Sequence, residues 1–147
     1  MTNDIILIVE PDLLEINKAK KVFEKQGSYI FVAENISYAQ SALKIKDFFS
    51  AVIIEIFSPL LTLQSFVNSR NPLGLVLVEE CLKLNIPCLL IHENKFIKSL
   101  HEIQMFISTM EGNKHYKQKS IPLLSKDEGW EKIIAKVTEL ININNKH

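Results

Sequence analysis

The chain is poor in the residues that mark several common protein classes. It has two cysteines among 147 residues. Cys81 and Cys88 do not form a CxxC pair, so both read as small buried hydrophobes rather than as a disulfide or metal site. Only four glycines are present, and the first apolar run is followed by Pro11-Asp12-Leu13 where a glycine-rich phosphate loop would stand, which argues against nucleotide or flavin binding. Net charge is also missing: seventeen basic and seventeen acidic residues cancel, without a long block of one sign, so nucleic acid and anionic membrane are disfavoured as partners. No apolar segment approaches the ~20 residues of a membrane helix. The start Met1-Thr2-Asn3-Asp4-Ile5 lacks the basic region and cleavage site of a signal peptide, and a cytoplasmic location is expected. Fixed-period repeats and low-complexity blocks are absent too.

What remains is an ordinary globular composition, 47% hydrophobic and 23% charged, in a length that suits one domain over residues 1–147. The most informative stretch is Ala51-Val52-Ile53-Ile54-Glu55-Ile56-Phe57-Ser58-Pro59. A β-branched apolar run ending at a proline reads as a strand buried on both faces, as in the middle of a parallel sheet. An acid near the end of such a strand points to the crevice outside the carboxyl edge, where open α/β sheets keep their sites.

The same grammar recurs along the chain. Asp4 to Val9 closes on Glu10 as a first strand. Asp12 with Glu15 forms a capping-box-like start to a helix over about 13 to 26, ending before Gly27. Tyr29 to Ala33 reads as a second strand, and Ser37 with Gln40 as the box opening a second helix. After Pro59, residues 60 to 72 lack periodicity and read as a long loop. A mostly buried helix begins at Gly74, and Cys88 to His92 is a fourth strand. Phe96, Leu100, Ile103, Phe106, Ile107 and Met110 mark a helix ending near Gly112. Ile121-Pro122-Leu123-Leu124 reads as a short edge strand, and Glu128 to Ile143 as a final helix with Trp130, Ile133, Ile134, Val137, Leu140 and Ile141 on one stripe. Strands alternating with helices predict an α/β fold: a doubly wound, five-stranded parallel sheet covered on both faces.

This order of motifs resembles the receiver domains of two-component response regulators over essentially the whole chain. The resemblance implies a flavodoxin-like (CheY-like) three-layer sandwich with strand order 2-1-3-4-5. It also implies an acidic pair after the first strand, a phosphoacceptor aspartate ending the third, Ser or Thr ending the fourth and a lysine after the fifth. Carried onto this sequence, the first acid is Glu10, in Leu7-Ile8-Val9-Glu10-Pro11-Asp12. Pro11 takes the second acid's place and Asp12 lies one residue further on. The acceptor position is Glu55, because the family's proline four residues later matches Pro59. The hydroxyl position, five residues after Pro87, falls on His92, and the lysine is Lys126. The aromatic that swings in the family's switch is Leu123 here.

Spacing is thus kept while most reacting groups are changed. Receivers take a phosphoryl group from a histidine kinase with a divalent ion between the acids, chemistry that rests on positioning and charge neutralisation. Glu55 carries its carboxylate about 1.5 Å further out than an aspartate would, and a misplacement of ~1 Å can cost ~100-fold in rate. Without an acid at position 11, Glu10, Glu55 and Asp12 are the oxygen ligands left for magnesium, a weakened set.

The expectation is a degenerate receiver, a non-enzymatic signalling module that binds a protein partner, whether a histidine kinase or another signalling protein. Its Glu55 is expected to pair with Lys126 without phosphate. The resemblance places partner binding or homodimerisation on the fourth helix, fifth strand and fifth helix. Two other classes stay open: a working phosphoacceptor in a phosphorelay, and a small-molecule-binding flavodoxin-like domain using His92, Glu10 and Glu55. Individually the residues have plainer readings: Asp12 as a helix cap, His92 as a neutral strand-end histidine, Lys126 as a solvated lysine. Glu55 has the weakest such alternative, since an unpaired acid in an apolar run is costly.

Overall fold

The computed structural model describes residues 4–45, 48–59, 70–71, 74–93 and 100–145. Its elements in chain order are β1 (Ile5–Val9), α1 (Leu13–Gln26), β2 (Tyr29–Ala33), α2 (Ile36–Leu43), β3 (Ala51–Glu55), β4 (Ser58–Pro59), β5 (Arg70–Asn71), α3 (Leu75–Lys83), β6 (Cys88–His92), α4 (Leu100–Glu111), β7 (Leu123–Ser125), a 3-10 turn (Lys126–Glu128) and α5 (Trp130–Asn145). Five strands form one sheet in the order β2-β1-β3-β6-β7, all paired in parallel. This is the expected doubly wound, flavodoxin-like arrangement, 2-1-3-4-5 when β4 and β5 are set aside.

The unbroken apolar runs follow from this position. Every residue of β3 and β6 is buried, and alternate side chains feed two cores. Leu7, Val9, Val52, Ile54 and Leu90 pack with residues of α2, α3 and α4, while Ile6, Ile8, Ile53, Leu89 and Ile91 pack with residues of α1 and α5. At the outer strand β2 the pattern weakens and Tyr29 and Phe31 are exposed.

Local punctuation differs from expectation in several places. Asp12 does cap α1, accepting from the Leu14 amide at 2.9 Å. The box is not closed by Glu15, however, because the Asp12 amide donates to Glu10 Oε1 at 3.2 Å instead. Helix α2 is capped by Asn35, which has the extended backbone a cap requires and accepts from the Tyr38 amide at 2.9 Å, so Ser37 lies inside the first turn. A capping box does form where none was expected, between Ser125 and Glu128. Its 3-10 turn delays α5, which starts at Trp130. Gly27 closes α1 with φ 72°, a left-handed conformation that glycine adopts without steric cost.

The third strand stops at Glu55, and Ser58–Pro59 then pair antiparallel with Arg70–Asn71. The stretch read as a loop from 60 to 72 therefore ends in a paired segment; residues 60–69 and 72 lie outside the described residues. So does Phe96 of the fourth helix. Pro122 lies just before β7 rather than in it. Its carbonyl accepts from the Leu90 amide at 2.9 Å, a role its missing N–H does not impair.

Candidate functional site

Three parallel strands end side by side at the carboxyl edge, and each delivers an acid. Glu10 follows β1, Glu55 is the last residue of β3 and Glu93 follows β6. Lys126 arrives from the turn after β7. Its ammonium donates to both oxygens of Glu10, at 3.0 and 3.1 Å. It also lies 2.6 Å from Glu55 Oε2 and 3.3 Å from Glu93 Oε1. Glu10 and Glu55 are 0% and 1% exposed, so this is a buried ion cluster rather than a surface salt bridge.

The backbone sets these carboxylates. Glu55 Oε1 accepts from the Phe57 amide at 3.0 Å, folding the side chain back over the end of its own strand. Glu55 Oε2 is fully buried and has no hydrogen bond of acceptable geometry among the described residues, leaving the nearby ammonium as the group that answers its charge. Gly74, just before α3, donates to the Ile56 carbonyl at 2.9 Å. A Cβ there would collide with the Glu55 carbonyl oxygen and come within 2.9 Å of Ile54 Cγ2 and Ile56 Cα, so only glycine lets α3 start this close to the site.

One ammonium does not balance two buried carboxylates. Burial pushes the Glu10 carboxyl up to about 7, the neighbouring Glu55 charge adds to the rise, and Lys126 only moderates it. The Glu55 carboxyl is raised as well, by burial first, again against Lys126. For Lys126, burial opposes the charge, but attraction to Glu55 and then Glu10 outweighs it and lifts its pKa above the ordinary lysine value. Lys126 thus stays charged, while the carboxylates carry the protonation change.

The other expected residues stand apart from this cluster. The Asp12 carboxylate is turned to its helix N-terminus. His92 is buried, pairs in register with Ser125, and has its Nδ1 3.3 Å from the Glu93 carbonyl oxygen. Among the described residues no hydrogen bond or ion pair joins it to Glu10, Glu55 or Lys126. Strand alternation accounts for this: Ile91 is level with Glu55, so His92 belongs to the opposite face.

Two members were not foreseen. Glu93 carries the signal that marked Glu10 and Glu55, an acid closing an apolar strand, one residue beyond the position taken by His92. Trp130, read only as part of an apolar stripe, also donates its Nε1–H to Glu15 Oε2 at 2.8 Å. It pins the start of α5, and with it the Lys126 turn, to α1.

The fold thus defined is that of the CheY-like response regulator receiver domains. The chain superposes on the receiver domain protein of Methanospirillum hungatei JF-1 with a TM-score of 0.72 at 18% identity, covering 99% of this chain and 98% of that one. For the receiver domain of Francisella response regulator 1452 the values are 0.66, 16%, 95% and 98%. A response regulator from Thermotoga maritima gives 0.64, 12%, 96% and 99%. At these identities the likeness is one of fold. The sequence matches no protein-family model and no curated protein. Among the described residues no helix is long and apolar enough to cross a membrane.

Proposed function

We propose that this chain is a receiver-like module of two-component signalling that works through protein contacts, without phosphorylation and without a bound divalent ion. The observation that carries this reading is the ammonium of Lys126, held against both Glu10 and Glu55. In a receiver the acceptor carboxylate must reach a phosphoryl donor from solvent. Here Glu55 is 1% exposed, one oxygen is bonded to the Phe57 amide and the other faces the lysine.

Magnesium does not fit this donor set. Pro11 offers no carboxylate, Asp12 is committed to its cap, and the lysine lies where a second cation would be repelled. Glu10, Glu55 and Glu93 converge on the Lys126 ammonium itself, whereas octahedral magnesium needs several oxygens at close to ideal geometry. The resulting module is non-enzymatic and presents a preformed surface to a histidine kinase or another signalling protein. The resemblance puts that surface on α4, β7 and α5, where His101 and Met105 are exposed.

The test is incubation with acetyl phosphate and magnesium, read by intact mass. No phosphoryl adduct is expected. An adduct of one phosphoryl group that disappears in Glu55→Gln overturns the proposal in favour of a working phosphoacceptor.

A further inference from the structure

The two margins of the sheet are treated differently. On the far side, β7 is only three residues long and is entered through Pro122. The backbone of Cys88, beyond the reach of β7, is sealed by the side-chain amide of Gln118, which accepts from the Cys88 N–H at 2.9 Å and donates to its carbonyl at 2.7 Å. Short strands, proline and covered backbone are the usual devices that keep a sheet edge from pairing with another chain. Strand β2 has none of them. Its sequence, Tyr29-Ile30-Phe31-Val32-Ala33, contains no charge, no proline and no glycine, and among the described residues it pairs only with β1.

The backbone phase of β2 is known. Tyr29 N–H donates to the Asp4 carbonyl, and the Ala33 carbonyl accepts from Glu10 N–H, both at 3.1 Å. Tyr29, Phe31 and Ala33 therefore turn their polar backbone groups to β1, and Ile30 and Val32 turn theirs outward. Around this open ladder lies an apolar surface. Tyr29 is 66% and Phe31 45% exposed, with Ile45 and Phe48 also exposed. Phe31 meets Phe49 edge-on at 5.8 Å, and Phe49 meets Phe48 at 4.9 Å. Helix α2, which packs with Ala33 on this side of the sheet, has only eight residues.

We propose that two copies of this chain pair their β2 strands antiparallel, across a two-fold axis at Phe31, to form one continuous sheet. An open ladder is completed by a strand, and a strand without charge meets no like-charge penalty from a copy of itself. The phase also suits self-pairing: with outward groups at 30 and 32, Ile30 of one copy bonds reciprocally to the partner's Val32, and Val32 to the partner's Ile30. Phe31 then faces the partner's Phe31 at a non-hydrogen-bonded position, where cross-strand side chains are closest and aromatic pairs are favourable. The contact is isologous, so it closes as a dimer. Its small area makes it weak and concentration-dependent. This edge is separate from the face of α4, β7 and α5, and the pairing stands whether or not Glu55 accepts phosphate.

Sedimentation velocity up to a concentration on the order of 1 mM, a range that captures weak contacts, tests the proposal. The unaltered chain is expected to shift from monomer to dimer, Phe31→Lys and Phe31→Glu to stay monomeric alone, and their equimolar mixture to recover the dimer. A monomer at every concentration, a dimer that survives Phe31→Lys, or a mixture that fails to associate overturns it. Should the charged variants not fold, Phe31→Cys gives an independent readout. Cys81 and Cys88 are fully buried, and a non-hydrogen-bonded pair lies within disulfide reach, so mild oxidation is expected to crosslink F31C efficiently and Y29C poorly. Equal crosslinking of the two, or none in F31C, refutes the register.

Discussion

Replacing Lys126 by methionine tests the cluster at its centre. The substitution keeps an unbranched side chain of similar length and removes the charge within 2.6 Å of Glu55 Oε2 and 3.0 Å of Glu10 Oε1. Among the described residues the two carboxylates, 0% and 1% exposed, are then left without a cation. Each contact at ~3 Å is worth several kcal/mol before desolvation is counted. The net loss on breaking a buried pair from one side is about 3–5 kcal/mol, a large part of the 5–15 kcal/mol that stabilises a typical domain.

The loss must depend on pH, and its sign follows from Glu10. A carboxyl raised from 4.5 to about 7 in the folded state contributes stability that is full below 4.5 and is lost as pH rises through about 7. Without Lys126, which lowers it, that carboxyl rises further, and the window in which the folded state holds the extra proton extends above pH 7. The variant is therefore expected to lose most at pH 8 and much less at pH 5, where protonation relieves the stranded charges. Urea titrations at the two pH values measure the difference. They are followed by the single tryptophan, Trp130, which is buried and sits four residues after Lys126. A loss under ~1 kcal/mol at pH 8, or an equal loss at both pH values, would refute the argument that Lys126 neutralises buried carboxylates.

In the unaltered protein the same linkage predicts stability falling between pH 5 and 7.5, by at most about 3 kcal/mol from Glu10. Glu10→Gln should flatten that slope in the same titration, and an unchanged slope would place the proton elsewhere. Gly74→Ala is expected to cost about 1–3 kcal/mol through overpacking, because the added methyl meets the Glu55 carbonyl and the Ile54 side chain. A urea midpoint equal to that of the parent would show that α3 does not abut the site.

The legible parts of the fold were those where one physical demand acts alone. Strands β1, β3 and β6 are buried on both faces, so apolar residues fill them up to Glu55 and His92 at the carboxyl edge, and the runs could be read directly. Caps were less legible because Asn35 and Ser37 are both competent, and the choice between them rests on backbone angles that composition does not encode. The pairing of Ser58–Pro59 with Arg70–Asn71 left no trace, since two residues have no period.

The site divides along the same line. An acid closing an apolar strand is a burial conflict that the sequence displays, and it identified Glu10 and Glu55; applied once more it would have identified Glu93. His92 was placed by counting from Pro87, and counting along one strand says nothing of which face a side chain takes relative to its neighbours. The register does: Glu55 stands beside Ile91, not His92, so with a pleat of period two the His92 side chain starts from the opposite face. His92 lies near the neighbouring Glu93 carbonyl, and the contact that reaches Glu55 comes from a long side chain entering from the turn after β7. Charge at this edge is thus organised by Lys126.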